Sequence, residues 1–170
     1  KASVVETVLD ALSRLEYRGY DSAGIAVLNG KGLEVRKRPG KLSVLADAVK
    51  RHQIYDGHLG IGHTRWATHG EPTEANAHPH TDCKQTLAVV HNGIVENYAE
   101  LKSQLLAKGH RFRSQTDTEV IAHLVEEYAK RAPLDRAFRR ALKELRGSYA
   151  VCLLSKHEPH RLFGAKNSSP

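Results

Sequence analysis

Two cysteines in 170 residues, Cys83 and Cys152, are too few and too far apart for a disulfide framework, and they form no Cys-x-x-Cys metal knuckle. No apolar run approaches the ~20 residues needed to cross a bilayer. No signal-peptide pattern opens the sequence, so no membrane partner and a cytoplasmic location are expected. Repeats and low-complexity segments are missing too. Aromatic residues are sparse, 6% with a single tryptophan. That bears on the formal net charge of +7, a value compatible with nucleic-acid binding. The basic residues are scattered over Arg36-Lys37-Arg38, Lys50-Arg51, Arg111, Arg113 and Arg139-Arg140 rather than gathered in one stripe. Solvated surface is the plainer reading, and no nucleic-acid partner is expected. A last absence concerns chemistry: no obvious nucleophile lies near the polar motifs of the chain.

What is present is one globular domain's worth of sequence, 40% hydrophobic and 26% charged. A chain of this size buries roughly 70% of the surface its unfolded form exposes. Val4, Val5, Val8, Leu9, Leu12 and Leu15 recur at helical spacing over residues 3–16, and Ser3 with Glu6 makes a capping box. Further helices are expected over 41–51, 97–108, 118–130 and 133–145. Strands are expected over 24–28, 33–38, 59–64, 86–91, 148–155 and 161–165, with Asn29-Gly30-Lys31-Gly32 as a hairpin turn. The glycines of Leu59-Gly60-Ile61-Gly62 permit close backbone approach. Strands come in adjacent pairs joined by short turns, with helices grouped between them, which favours antiparallel sheets and an α+β class. Residues 65–84 are polar and aperiodic, the profile of a functional loop.

Three motifs carry chemistry. His63-Thr64-Arg65-Trp66-Ala67-Thr68-His69-Gly70-Glu71-Pro72 places a fixed cation at the end of a strand. Arg65 is there either a bidentate carboxylate anchor or an ordinary surface arginine. Trp66 is either core or a loop lid. His91-Asn92-Gly93 is either a turn or a carboxamide and backbone N–H converging on one oxyanion. Asp117, in Thr116-Asp117-Thr118-Glu119, is either a helix N-cap or the partner of a ligand ammonium. Histidines 63, 69, 78, 80 and 91 crowd one third of the chain, and His78-Pro79-His80 looks like a metal-ligand pair. No cysteine or carboxylate stands at a diagnostic spacing to them, so no metal site is expected. Tyr17-Arg18-Gly19-Tyr20-Asp21-Ser22-Ala23-Gly24 reads locally as a helix-terminating turn, yet it carries more hydrogen-bonding groups than a turn requires.

Taken together, these segments, with Asn76-Ala77-His78-Pro79-His80 and His91-Asn92-Gly93-Ile94-Val95-Glu96-Asn97, resemble the glutaminase (class II glutamine amidotransferase) domain of the glutamine–fructose-6-phosphate aminotransferase family, the glucosamine-6-phosphate synthases. The likeness covers essentially all 170 residues and is stronger than that to the amidophosphoribosyltransferases, which read differently around Tyr20 and Trp66. It implies an N-terminal-nucleophile hydrolase fold, a four-layer αββα sandwich. It implies that Arg65, Thr68 and His69 hold the α-carboxylate of glutamine, and that Asp117 and the Gly93 carbonyl hold its α-amino group. Asn92 and Gly93 would form the oxyanion hole, Trp66 would belong to a mobile loop, and Arg18 would order the neighbourhood of the nucleophile. No cofactor is implied. In that family the nucleophile is an N-terminal cysteine whose own amine acts as base, well matched to neutral pH. Here position 1 is Lys1, so residues 1–170 are expected to form a glutaminase domain without its first strand and without the downstream sugar-isomerase domains. The expectation is of a chain that binds glutamine or glutamate without turning it over, and of a homodimer when full length. A non-catalytic amino-acid-binding module and a histidine-based metal hydrolase are the competing readings.

Overall fold

The computed structural model describes residues 3–66 and 70–168, Arg18 by its backbone only. The first helix, α1 (Val4–Ser13), starts where the Ser3 hydroxyl accepts the Glu6 N–H, the capping contact that the sequence calls for. The Asp56 carboxylate also accepts the N–H groups of Val4 and Val5, at 2.8 and 3.3 Å, and so places negative charge at the positive end of the helix. Strands β1 (Ser22–Asn29) and β2 (Gly32–Pro39) form the expected hairpin, with Asn29 opposite Gly32 and the Asn29 side chain accepting the Lys31 N–H. Then follow α2 (Leu42–Arg51), β3 (Leu59–Arg65), β4 (His80–Thr81) and β5 (Leu87–Gly93). Helices α3 (Tyr98–Ala107), α4 (Glu119–Ala129) and α5 (Leu134–Glu144) precede the closing strands β6 (Tyr149–Ser155) and β7 (Leu162–Asn167).

Among the described residues the strands make two sheets, ordered β2-β1-β3 and β4-β5-β6-β7, and every pairing of named strands is antiparallel. Alternation along each strand builds the layers. On β1, Ile25 and Val27 face α1 and α2 in a core with Val5, Leu12 and Leu45, whereas Ala26 and Leu28 face the second sheet. The sheets meet through those two residues, Ile61, Ala88, Val90 and Leu154. On the far side, Val89 and Leu153 pack against Val120, Ile121 and Phe138 of α4 and α5. The result is helix, sheet, sheet, helix. Glycine sets one of these spacings, since a Cβ on Gly62 would come within 2.7 Å of Val8 and 2.9 Å of Leu12. Helix α1 therefore lies closer to β3 than any side chain there would allow.

The expected element order holds, with two local corrections. Residues 65–84 are irregular as expected except for β4, which pairs with Ala88 and Val89. Asn92 and Gly93 are not a turn but the last rungs of β5, opposite Ala150 and Tyr149.

Candidate active site

Strand β3 delivers Arg65 at its end, and the residue is 4% exposed, so the surface-arginine reading fails. Its guanidinium donates to the carbonyls of Gly70 at 3.0 Å and Glu71 at 3.4 Å and stands 3.8 Å from Asp21 Oδ1. Backbone oxygens and one carboxylate thus hold the fork at a fixed height. Trp66 follows at 60% exposure, its ring edge-to-face with that of Tyr20 at 5.4 Å, which removes it from the core. Thr68 and His69, and the side chain of Arg18, lie outside the described residues.

Strand β5, in the other sheet, ends beside it with Asn92 and Gly93. Asn92 Oδ1 and His63 Nε2 are 2.8 Å apart. Burial pulls His63 down to about 4, so at neutral pH the ring carries one proton. Among the described residues its buried Nδ1 has no hydrogen-bond partner, so the network assigns the proton to Nε2, which donates to Oδ1. The carboxamide is thereby oriented with Nδ2 as its donor end. Gly93 has φ 131, and a Cβ there would sit 2.0 Å from the Ser148 carbonyl oxygen. Only glycine fits at the point where β5 turns away from β6.

Behind Asn92 lies a gallery of imidazoles. His63 and His78 stack with ring centroids 4.2 Å apart, and His78 meets His80 edge-on at 4.7 Å. The Thr118 hydroxyl bridges His78 Nε2 at 3.0 Å and His91 Nδ1 at 2.9 Å, while Thr116 bonds His80 Nε2 at 3.0 Å. Burial lowers all of them, His80 to about 3 and His78 well below its ordinary value, and for His91 the nearby Asp117 partly opposes the shift. These rings are neutral hydrogen-bonding struts. Among the described residues they do not converge on a common point, as metal ligands would.

Asp117, 5% exposed, is not a side-chain N-cap. Thr118 stands at that position without a capping hydrogen bond, and the Asp117 carboxylate accepts the Val95 N–H at 2.7 Å instead. The local capping preference yields to a tertiary contact that sets the carboxylate against the backbone just past Gly93. Asn76 closes the ring, donating to the Glu71 carbonyl and accepting the Gln115 N–H, so the segment after Arg65 is tied to the segment before Asp117.

Cys83 contacts His110 and His123. Cys152, opposite Val90, lines an open cleft of about 610 Å³ with His63 and Asn92, but burial pushes its thiol up and no base among the described residues hydrogen-bonds it.

Two antiparallel sheets face to face between helical layers, with a fixed cation, a carboxamide and a buried carboxylate at the strand ends, define the N-terminal-nucleophile hydrolase class of amidotransferase fold. Similar solved structures agree. Glutamine phosphoribosylpyrophosphate amidotransferase from B. subtilis, complexed with ADP and GMP, aligns with a TM-score of 0.79 at 28% identity, over 94% of this chain and 34% of that one. A structure described as the allosteric regulatory enzyme of purine biosynthesis aligns at 0.78 and 30% identity, over 89% of this chain and 33% of that one. The family described as glutamine amidotransferase domain matches residues 63–169, and the chain belongs to that family. Curated relatives named glutamine–fructose-6-phosphate aminotransferase (isomerizing) match almost the whole chain. Those of Thermus thermophilus and Pyrobaculum aerophilum are 58% and 53% identical, over 99% and 97% of it. The relative from Aquifex aeolicus is 54% identical over 96%. The chain spans 27% of the length of each of these three.

Proposed function

We propose that the chain is the glutamine-hydrolysing domain of an aminotransferase that supplies ammonia for converting fructose 6-phosphate to glucosamine 6-phosphate. The observation that carries this reading is a pair of buried opposite charges, Arg65 at the end of β3 and Asp117 against the backbone just past Gly93. A free amino acid offers the complementary pair, an α-carboxylate for the guanidinium fork and an α-ammonium for the carboxylate and the Gly93 carbonyl. Thr68 and His69 complete the carboxylate grip, Trp66 covers it, and Arg18 steadies the nucleophile's surroundings. The glutamine side chain then reaches Asn92 Nδ2 and the Gly93 N–H, donors already in place before charge develops on the carbonyl oxygen.

The nucleophile that the family resemblance implies is the thiolate of an N-terminal cysteine. It attacks the carboxamide carbon, the C–N bond breaks, and ammonia leaves with a proton carried by the α-amine. Water then hydrolyses the thioester to glutamate and the free thiol. No cofactor is needed. The ammonia passes to sugar-isomerase domains in the same full-length chain, which works as a homodimer. The polypeptide of residues 1–170 holds no cysteine but Cys83 and Cys152, and neither carries a free α-amine. It binds L-glutamate or L-glutamine without turnover and behaves as an amino-acid-binding module. Calorimetric titration with L-glutamate beside a glutaminase assay tests both halves. Binding without ammonia release supports the reading, whereas ammonia release blocked by a glutamine-like alkylator overturns the nucleophile assignment, and no binding overturns the site.

A further inference from the structure

A second cluster of polar side chains stands apart from this chemistry. Cys83 lies in the turn between β4 and β5, His110 in the connection from α3 to α4, and His123 with Glu126 one turn apart on α4. One ligand atom from each falls within 4.8 Å of all the others. The separations are 3.3 Å between His110 Nδ1 and His123 Nδ1, 3.7 and 3.6 Å from Cys83 Sγ to those nitrogens, and 3.0 and 3.2 Å from Glu126 Oε2 to them. Ligands at ordinary zinc distances on a tetrahedron stand about 3.3 Å apart for two nitrogens and about 3.6 Å for nitrogen and sulfur. The cluster has those dimensions.

From this geometry we infer a closed, structural site for a zinc-class divalent ion, with Cys83, His110, His123 and Glu126 as its four ligands. The surroundings are those of a metal centre. His110 Nε2 contacts Glu127 Oε2 at 2.9 Å, and His123 Nε2 is 3.4 Å from Glu119 Oε1, an ion-pair distance rather than a well-aligned hydrogen bond. A carboxylate behind each imidazole keeps the proton on Nε2 and turns the Nδ1 lone pair inward. The Arg111 N–H points at Cys83 Sγ at 3.4 Å, which suits a thiolate. Both rings lie in the interior, His110 4% and His123 0% exposed, with their Nδ1 atoms 3.3 Å apart. The charge of a divalent ion is balanced there by one thiolate and one carboxylate. Sulfur and imidazole donors select zinc over magnesium or calcium. All four positions are filled by protein, so the ion staples three segments and leaves no site for a reactant.

The test needs the polypeptide purified without a metal-affinity step and dialysed after exposure to zinc. Stoichiometric zinc is expected by elemental analysis, and cobalt in its place should give d–d bands of tetrahedral intensity with a thiolate charge-transfer band. Cys83→Ser should abolish that band and Cys152→Ser should keep it. Free zinc at 100 times Kd should raise Tm by about 5–10 °C over the chelated protein, a comparison that needs no variant to fold. Protein that dialyses free of metal with a Tm unmoved by chelator overturns the inference, and so does a charge-transfer band that follows Cys152.

Discussion

Arg65→Ala should weaken L-glutamate binding by about 30- to 700-fold, provided the guanidinium grips the α-carboxylate. A charge-assisted, bidentate contact in a site this buried accounts for about 2–4 kcal/mol, and each 1.4 kcal/mol is about tenfold in Kd. The upper half of that range is favoured because Arg65 is 4% exposed and already positioned by the Gly70 and Glu71 carbonyls, so the ligand need not order it. The same burial makes the variant less stable, since those carbonyls and Asp21 lose a donor, at about 1–3 kcal/mol or about 2–12 °C in Tm. Affinity must therefore be separated from folding. A chemical double cycle does so: Kd is measured calorimetrically for glutamate and for its α-amide, in wild type and in Arg65→Ala, well below either melting temperature. The α-amide should bind far more weakly than glutamate to wild type and about equally to the variant. If the variant pays the same penalty for the α-amide as wild type does, Arg65 does not touch the α-carboxylate, whatever happens to overall affinity.

Asn92→Ala, in a protein carrying the N-terminal cysteine, should lower kcat about 10²–10³-fold with little change in KM. Intact kcat in variant protein with a collapsed Tm would make Asn92 structural. Gly93→Ala should be among the most damaging single changes, because its Cβ would meet the Ser148 oxygen at 2.0 Å and the backbone there has φ 131. A loss of about 3 kcal/mol or more is expected in urea unfolding, and a change under about 0.5 kcal/mol would refute the close approach. Acidification should destabilise the fold in a defined window. Folded His63 and His80 titrate at about 4 and about 3, below the ordinary value of 6.5, so between those limits the unfolded chain binds more protons and stability falls as pH falls. Above about pH 6.5 the effect vanishes. The slope should reach about 1 kcal/mol per pH unit for each histidine, and a urea midpoint flat from pH 4.5 to 7 would mean that these rings are not held neutral.

Secondary structure was legible wherever the cause is local. The Ser3 hydroxyl on the Glu6 N–H and the Asn29–Gly32 hairpin need nothing beyond neighbouring residues. Layering followed from strand alternation and the pairing of adjacent strands. What stayed open were positions where a distant partner outweighs a local preference. Asn-Gly favours a turn, but β6 continues the ladder past it. Asp before a helix favours a cap, but the Val95 N–H lies closer to hand. For Arg65 the choice between anchor and surface arginine stayed open, because nothing in sequence reveals that two carbonyls and a carboxylate surround it. The Cys83 cluster was missed for the same reason: only His123 and Glu126, three apart on α4, hint at a shared face, while Cys83 and His110 arrive from remote segments.

Strands β1 and β5 are each shared between two apolar cores, one against helices and one between the sheets. This sharing has a dynamic consequence. Helix ends and the outer strand β7 can open locally, but neither shared strand can leave without breaching the inter-sheet layer. The amides of Ile25 to Leu28 and Leu87 to Val90 should therefore exchange with solvent only by global unfolding, and be the slowest in the molecule. Arg65 on β3 and Asn92 on β5 are tied to those strands from opposite sheets. Their separation is thus governed by the stability of the whole fold, and no sub-global fluctuation can tune it.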